Sequence, residues 1–232
     1  MKRKILALCL IICLLAIAVV GGTLAYFTDS EEETNTFTVG NVDIRLLESK
    51  LHRANDNATD AAIEEDAKTY QDYLAEQGAD LVPGEWVLKA PYVVNDSKTN
   101  AAFVRVRVRF EQDEALNLDF METTSALEDG SITKEMALIT GDSKTVVTSF
   151  DEVKAAAAFD YLEYTYTYET ALEPGEMTHW PAFWKFCVKN QLDSEDLENV
   201  TLDKIVVYAD AIQAQGFDTA EKAFAAFDDQ EG

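Results

Sequence analysis

The stretch AFVRVRVRF, residues 102–110, alternates apolar and cationic side chains over its last seven positions. The apolar side chains share one parity: Val104, Val106, Val108 and Phe110. The cationic side chains share the other: Arg105, Arg107 and Arg109. Because successive side chains of a strand point to opposite faces, this pattern predicts a strand with one buried face and one solvated arginine face. In so acidic a chain we expect these arginines to meet carboxylates on neighbouring strands, at roughly 0.2–1 kcal/mol per pair.

Other apolar segments on both sides of this stretch also alternate with a period of two. They are residues 36–48, 159–169, 180–190 and 200–214. Within 36–48 the parity changes across Gly40-Asn41, which predicts a β-bulge. Pro181 predicts that its strand begins there or lies at a sheet edge. Six or seven short strands separated by turn residues indicate a mainly β fold, a jelly-roll-like β-sandwich.

Three segments depart from the strand pattern. Residues 60–78 have apolar side chains at helical spacing and predict a helical insertion. Residues 218–229 predict a short C-terminal helix with Asp218 as its N-cap. Residues 112–158 are acidic, with short apolar pieces, and are expected to form an irregular insertion. The sequence therefore predicts a β-sandwich domain over 49–232, preceded by an N-terminal segment and first strand over 26–48.

The first 25 residues are laid out like a secretory signal peptide. Three cations precede an uncharged apolar stretch over 5–20, which is shorter than the roughly 20 residues that span a bilayer. Thr23 and Ala25 place small side chains three positions and one position before a cut that would leave Tyr26 first. We expect cleavage at this boundary, and a membrane anchor retained through an uncleaved signal is the alternative.

The net charge is −24, and loss of residues 1–25 with their three cations lowers it to −27. Such a surface repels phosphates, so nucleic acid and anionic membrane surfaces are not expected as partners. The acid excess predicts weak calcium binding, and no cofactor is expected. Cys187 is the only cysteine outside the first 25 residues, and its aromatic neighbours predict a buried apolar side chain rather than a nucleophile.

The chain has none of the common catalytic motifs. Its two histidines, His52 and His179, do not lie in a His-Glu-x-x-His motif, so no zinc ligands are assigned. A mixed site of one histidine and several carboxylates stays open. There is no Gly-x-Ser-x-Gly motif and no glycine-rich phosphate loop. We therefore expect no catalytic residues and no enzymatic activity.

The N-terminal junction resembles the start of TasA- and camelysin-type proteins of Gram-positive bacteria. The matching residues are Gly21-Gly22-Thr23, Ala25, Tyr26-Phe27-Thr28-Asp29, Phe37 and Gly40-Asn41. The resemblance continues in LVPGEWVLKAPYVVNDSKTNAAFVRVRV, residues 81–108. It covers about half of the chain, and residues 49–80 and 112–158 do not share in it.

The resemblance implies a secreted subunit of extracellular biofilm-matrix fibres, located in the matrix or at the cell surface. It implies cleavage by a SipW-type signal peptidase, self-association into fibres and contact with accessory matrix proteins. Fibres of this kind grow when the N-terminal strand of one subunit completes the sheet of the next, which is a form of β-augmentation. The assembly segment expected here includes Tyr26, Phe27, Phe37 and Val39. A camelysin-type metallopeptidase and a membrane-anchored surface binding domain are the alternatives.

Overall fold

The computed structural model describes residues 36–79, 82–189 and 205–231, which belong to the unit Thr34–Gly232. These ranges contain eleven strands: β1 (Thr36–Val39), β2 (Ile44–Ser49), β3 (Trp86–Leu88), β4 (Ala90–Asn95), β5 (Ala102–Glu111), β6 (Leu118–Glu122), β7 (Ile132–Thr140), β8 (Ser143–Val147), β9 (Tyr161–Tyr168), β10 (Phe183–Val188) and β11 (Val206–Gln213). They also contain seven helices: α1 (Arg53–Asp56), α2 (Asp60–Ala67), α3 (Tyr70–Ala79), α4 (Gln112–Asn117), α5 (Thr124–Glu128), α6 (Phe150–Ala155) and α7 (Ala220–Glu231). None of the described helices is both long enough and apolar enough to cross a bilayer.

The largest sheet has six strands in the order β1-β11-β5-β9-β7-β8. Its strands pair antiparallel, except that β1 runs parallel to β11. The strand that the arginine-valine alternation predicts is β5, and it lies between β11 and β9. The expected strands at 159–169 and 200–214 are its two neighbours.

Two smaller sheets, β3-β10-β6 and β2-β4, complete the β structure of the described residues. Lys89 alone separates β3 from β4, so the two small sheets are joined along one nearly continuous strand. The backbone N–H of Lys89 donates to the carbonyl of Trp184 at 2.9 Å, which ties this junction to β10. Helix α2 covers the β2-β4 sheet, where Ile63 packs with Leu47 and Tyr92.

The main core lies between the six-stranded sheet and the smaller sheets. Aromatic rings connect the layers: the ring of Phe120 on β6 lies 5.5 Å from that of Phe110 and 4.7 Å from that of Tyr164. Phe183 on β10 contacts the same ring at 6.3 Å. The alternating valines of β5 point into this core and are fully buried. The expectation of a mainly β sandwich with helical insertions and a short C-terminal helix is confirmed.

The opposite face of the six-stranded sheet, termed the outer face, carries the arginines of β5. Asp210 on β11 accepts hydrogen bonds from Arg105 at 2.7 Å and from Arg107 at 2.7 and 2.8 Å. Glu163 on β9 accepts from Arg109 at 2.6 Å. The expected pairing with carboxylates on neighbouring strands is confirmed. The expectation of a solvated face is wrong, because Arg105 is only 7% exposed and Asp210 is not exposed at all.

Helix α7 provides part of the cover over this face. Its Asp228 accepts two hydrogen bonds from Arg105, at 2.7 and 3.1 Å, and the guanidinium lies 4.6 Å from the ring centre of Phe224. The expected N-cap, Asp218, does not cap the helix. Thr219 accepts the N–H of Lys222 at 3.3 Å, while Asp218 pairs with the Lys222 ammonium at 3.2 Å.

Three other expectations differ from the structure. Residues 36–48 form two strands of different sheets, so Gly40-Asn41 is a break in the β structure and not a bulge. The stretch 112–158, expected to be irregular, contains β6, β7, β8 and three helices, and β7 and β8 extend the main sheet. β10 begins two residues after Pro181, but it is the central strand of its sheet and not an edge. The predicted helix at 60–78 forms as two helices, α2 and α3.

The buried network predicts that two carboxylates contacting the same arginine contribute very differently to the free energy of unfolding. Asp210→Asn is expected to lower the free energy of unfolding by about 3–5 kcal/mol, because it leaves two largely buried guanidiniums without their shared anion. Asp228→Asn, whose side chain is 54% exposed, is expected to cost about 0–1 kcal/mol. Urea unfolding of the chain beginning at Tyr26 measures both. Equal effects of the two substitutions would contradict a dominant role for Asp210.

Candidate assembly site at the N-terminal strand

β1 is a four-residue strand at one edge of the six-stranded sheet. Its residues pair in parallel with Ala209–Ile212 of β11, with Thr38 opposite Ala211 and Val39 opposite Ile212. A parallel pair is slightly less stable per residue than an antiparallel one. Within the described residues, β11 is the only strand that pairs with β1. The strand is therefore docked by a short row of main-chain hydrogen bonds.

The chain leaves β1 through a tight break that fixes where the strand ends. Gly40 has a φ of 89°, a conformation that favours glycine, and a Cβ there would lie 3.0 Å from the Cβ of Gln213. The N–H of Asn41 donates to the Gln213 side chain at 3.4 Å, and the Asn100 amide donates to the carbonyl of Asn41 at 2.6 Å. These contacts tie the Gly-Asn pair to the end of β11 and to the start of β5.

The residues assigned to processing and assembly fall on both sides of the boundary of the described ranges. Thr23, Ala25, Tyr26 and Phe27 lie outside the described residues, as does the predicted signal peptide 1–25. Phe37 lies in β1, where its backbone pairs with Asp210. Val39 also lies in β1, and its side chain packs against a small hydrophobic cluster beneath α7. Of the predicted assembly segment, the structure therefore brings Phe37 and Val39 to the edge of β11.

The residues that receive this strand are not among those predicted from the sequence. Gln213 and Asn100, which hold the Gly-Asn break, have no sequence signal of their own. Ile212 lies in an apolar run that predicts a strand but does not identify its edge. Only the parity change at Gly40-Asn41 predicts an irregularity in the β structure at this point.

The two histidines lie in one aromatic cluster. His52 is 6% exposed, and its ring lies 5.9 Å from the ring of Trp180 and 5.3 Å from that of Trp184. The ring of His179 lies 4.6 Å from that of Trp180. His52 also caps α1, because its Nδ1 accepts the N–H of Asn55 at 3.3 Å. Burial, opposed by the charge of Asp56, lowers the pKa of His52.

These residues do not fit a zinc peptidase site. The chain has only two histidines, and one of them uses Nδ1 as a helix cap and is enclosed by indole rings. In the described part of the chain, no three side chains of histidine, cysteine, aspartate or glutamate are grouped so that they could hold a metal ion. Catalytic zinc usually takes three protein ligands, commonly histidines. The described side chains therefore do not supply the ligand set that a zinc-dependent step would need.

Cys187 is buried in β10, as its aromatic neighbours predict. Burial raises the pKa of its thiol, with a smaller contribution from Asp119 in the same direction. Because the thiolate is the nucleophilic form, this environment opposes nucleophilic chemistry at Cys187.

The capping role of His52 predicts a local dependence of stability on pH. Its pKa is lowered on folding, so its contribution is fully present above the unfolded value of 6.5 and is lost as pH falls through the folded pKa. Between about pH 7.5 and about pH 5.5, we expect the melting temperature of the wild type to fall by more than that of His52→Asn, whose amide oxygen also caps a helix. The comparison of the two proteins cancels changes in repulsion among the acids. His179→Asn is the control and should follow the wild type, and identical profiles for wild type and His52→Asn would exclude this role.

Comparison with known proteins places the chain in a family. A family model described as camelysin metallo-endopeptidase matches residues 1–169, well over half of the 232 residues. The match includes β1 and β5 and ends before β10, β11 and α7. No curated protein and no solved structure matches the chain. The extent of the family match confirms the resemblance seen at the N-terminal junction: the chain belongs to the camelysin metallo-endopeptidase family.

Proposed function

We propose that this protein is a secreted structural subunit of extracellular biofilm-matrix fibres. In this proposal a SipW-type signal peptidase cuts behind Ala25, and the freed N-terminal segment of one copy adds as a strand to the sheet of the next. The observation that carries the proposal is the position of β1, a short parallel strand at the edge of the largest sheet.

The edge of β11 is longer than the described strand that pairs with it. β11 begins at Val206, but the register with β1 begins at Ala209. No described strand pairs with Val206, Val207 or Tyr208 on the side of β11 that faces β1. A longer strand entering from a second copy has these additional main-chain groups to pair with. Strand addition gains affinity from such main-chain hydrogen bonds.

Exchange between copies requires no new type of contact. If β1 leaves β11, it exposes an edge that the corresponding strand of a neighbour fits equally well, as in domain swapping. Each copy then donates one strand and accepts one strand, which is a head-to-tail arrangement. Such an interface produces open filaments when its rotation does not close a ring. An uncut signal keeps the segment before β1 attached to the membrane, so cleavage permits assembly.

The family description favours a metallo-endopeptidase as the second candidate. A peptidase of this class is expected to contain about one zinc per chain and to lose activity with a chelator. Because the described residues do not supply a zinc ligand set, we expect protein purified from Tyr26 onwards to contain far less than one zinc per chain. Metal analysis and peptide hydrolysis, with and without chelator, measure this. Stoichiometric zinc with chelator-sensitive hydrolysis would replace the structural proposal.

A cysteine pair at the β1–β11 contact tests strand exchange. Thr38 and Ala211 are register partners, and neighbouring strands lie about 4.8 Å apart, within the range that a disulfide bridges. We expect Thr38→Cys/Ala211→Cys in a Cys187→Ala background to give covalent ladders when fibres are oxidised after assembly. The same protein oxidised while dilute should close the disulfide within one chain and remain monomeric.

Two further proteins serve as controls for this experiment. Thr38→Cys/Val146→Cys places the second thiol on β8, at the opposite edge of the sheet, and should give no ladder. A chain lacking residues 26–39 should not polymerise. Equal polymerisation with and without these residues, or monomers at every concentration of the trimmed chain, would overturn the proposal.

A further inference from the structure

We infer that helix α7 is a latch that holds β1 on its own subunit, and that opening of this latch controls release of the strand. This inference rests on the proposed function for its biological consequence. The coupling between the two elements is a property of the folded monomer and can be measured without fibres. β1 and α7, which lie at the two ends of the described chain, meet at one small hydrophobic cluster.

The cluster is a row of side chains across three neighbouring strands. Val39 on β1 is the register partner of Ile212 on β11, and Ile212 is the register partner of Phe103 on β5. Directly paired residues point to the same face of a sheet, so these side chains form one row. Ile212 and Phe103 are nearly fully buried, and Val39, at the end of the row, packs against the cluster to which they belong.

Helix α7 covers this row with its apolar face. The buried side chains of that face are Ala220, Ala223, Phe224 and Phe227, and they form the cluster together with Ile212 and Phe103. The cluster is distinct from the main core between the layers. Opening of α7 therefore removes the cover from the end of β1 without disturbing the interior of the sandwich.

The neighbouring row fixes α7 to the sheet. Arg105 pairs with Asp210 beneath the helix and with Asp228 on it, and its guanidinium lies 4.6 and 5.0 Å from the ring centres of Phe224 and Phe227. A guanidinium at these distances is attracted to the faces of both rings. The latch is thus attached through β5 and β11, while β1 lies at its margin.

Main-chain pairing and the packing of Val39 both hold β1. It pairs with one strand over four residues, and Thr38 is exposed to solvent. Besides the hydrogen bonds to β11 and at the Gly40-Asn41 break, the packing of Val39 against the cluster beneath α7 anchors β1. Loss of that packing should shift β1 towards the undocked state, and by thermodynamic linkage an undocked β1 should loosen α7.

Hydrogen exchange of the monomer beginning at Tyr26 tests this coupling. In Phe224→Ala we expect the amides of β1 to exchange at least about tenfold faster than in wild type, while amides of β7 change much less. Val39→Ala is the second variant and should accelerate exchange in α7 by the reciprocal effect. Leu138→Ala removes a buried side chain of β7, away from the latch, and should not accelerate β1 selectively.

Exchange in β1 that rises no more than in β7 in Phe224→Ala would overturn the latch, as would unchanged α7 exchange in Val39→Ala. If β1 and α7 open together but no variant forms fibres, the latch stands and the proposed function fails. If fibres form by exchange of β1 while the two elements open independently, the proposed function stands and the latch fails.

Discussion

The carboxylate of Asp210 determines how the outer face of the main sheet is built. It is fully buried, yet it receives hydrogen bonds from two arginines of the neighbouring strand. A buried charge without such partners would cost several kcal/mol, so any other register of β11 against β5 is strongly disfavoured. That register sets which residues of β11 lie at the free edge, and therefore where β1 docks. It also places Arg105 where it can hold α7. The assembly edge and the helix beside it both depend on this ionic arrangement.

The sequence predicted the strands and helices of this fold better than it predicted which of them lie side by side. The alternation in 102–110 identified β5 and its two faces, because side-chain parity is a local property of a strand. It could not show that the arginine face is covered, since the cover comes from α7 and β11, about a hundred residues later in the chain. The same limit explains why residues 112–158 were expected to be irregular although they form three strands and three helices. Its strands have mixed polar faces, as in β8, where Val147 is buried and the other residues are exposed. Such strands are recognised by their partners and not by their own pattern.

The candidate site was predicted in part. The N-terminal junction indicated an assembly segment, and Phe37 and Val39 do lie at a sheet edge. The parity change at Gly40-Asn41 predicts a bulge where the chain changes sheet, because both features shift the alternation by one residue. What distinguishes them is the side chain of Gln213, which approaches Gly40 so closely that a Cβ there would be crowded. The apolar spacing of α7 predicted a helix, but nothing in that spacing indicated that its partner is the first strand of the domain. Contacts between the two ends of a chain leave no local signature.

The contact of β1 with the edge of β11 has a consequence for any assembly built on it. In such an assembly one copy donates the strand and the next accepts it, so the two copies use different surfaces. Repetition of this contact gives every copy the same heading along the filament axis. Such a filament is polar. One tip presents a vacant β11 and the other presents an unused tail, so growth at the two tips proceeds by chemically different encounters. A molecule that caps one tip would then leave elongation at the other unaffected.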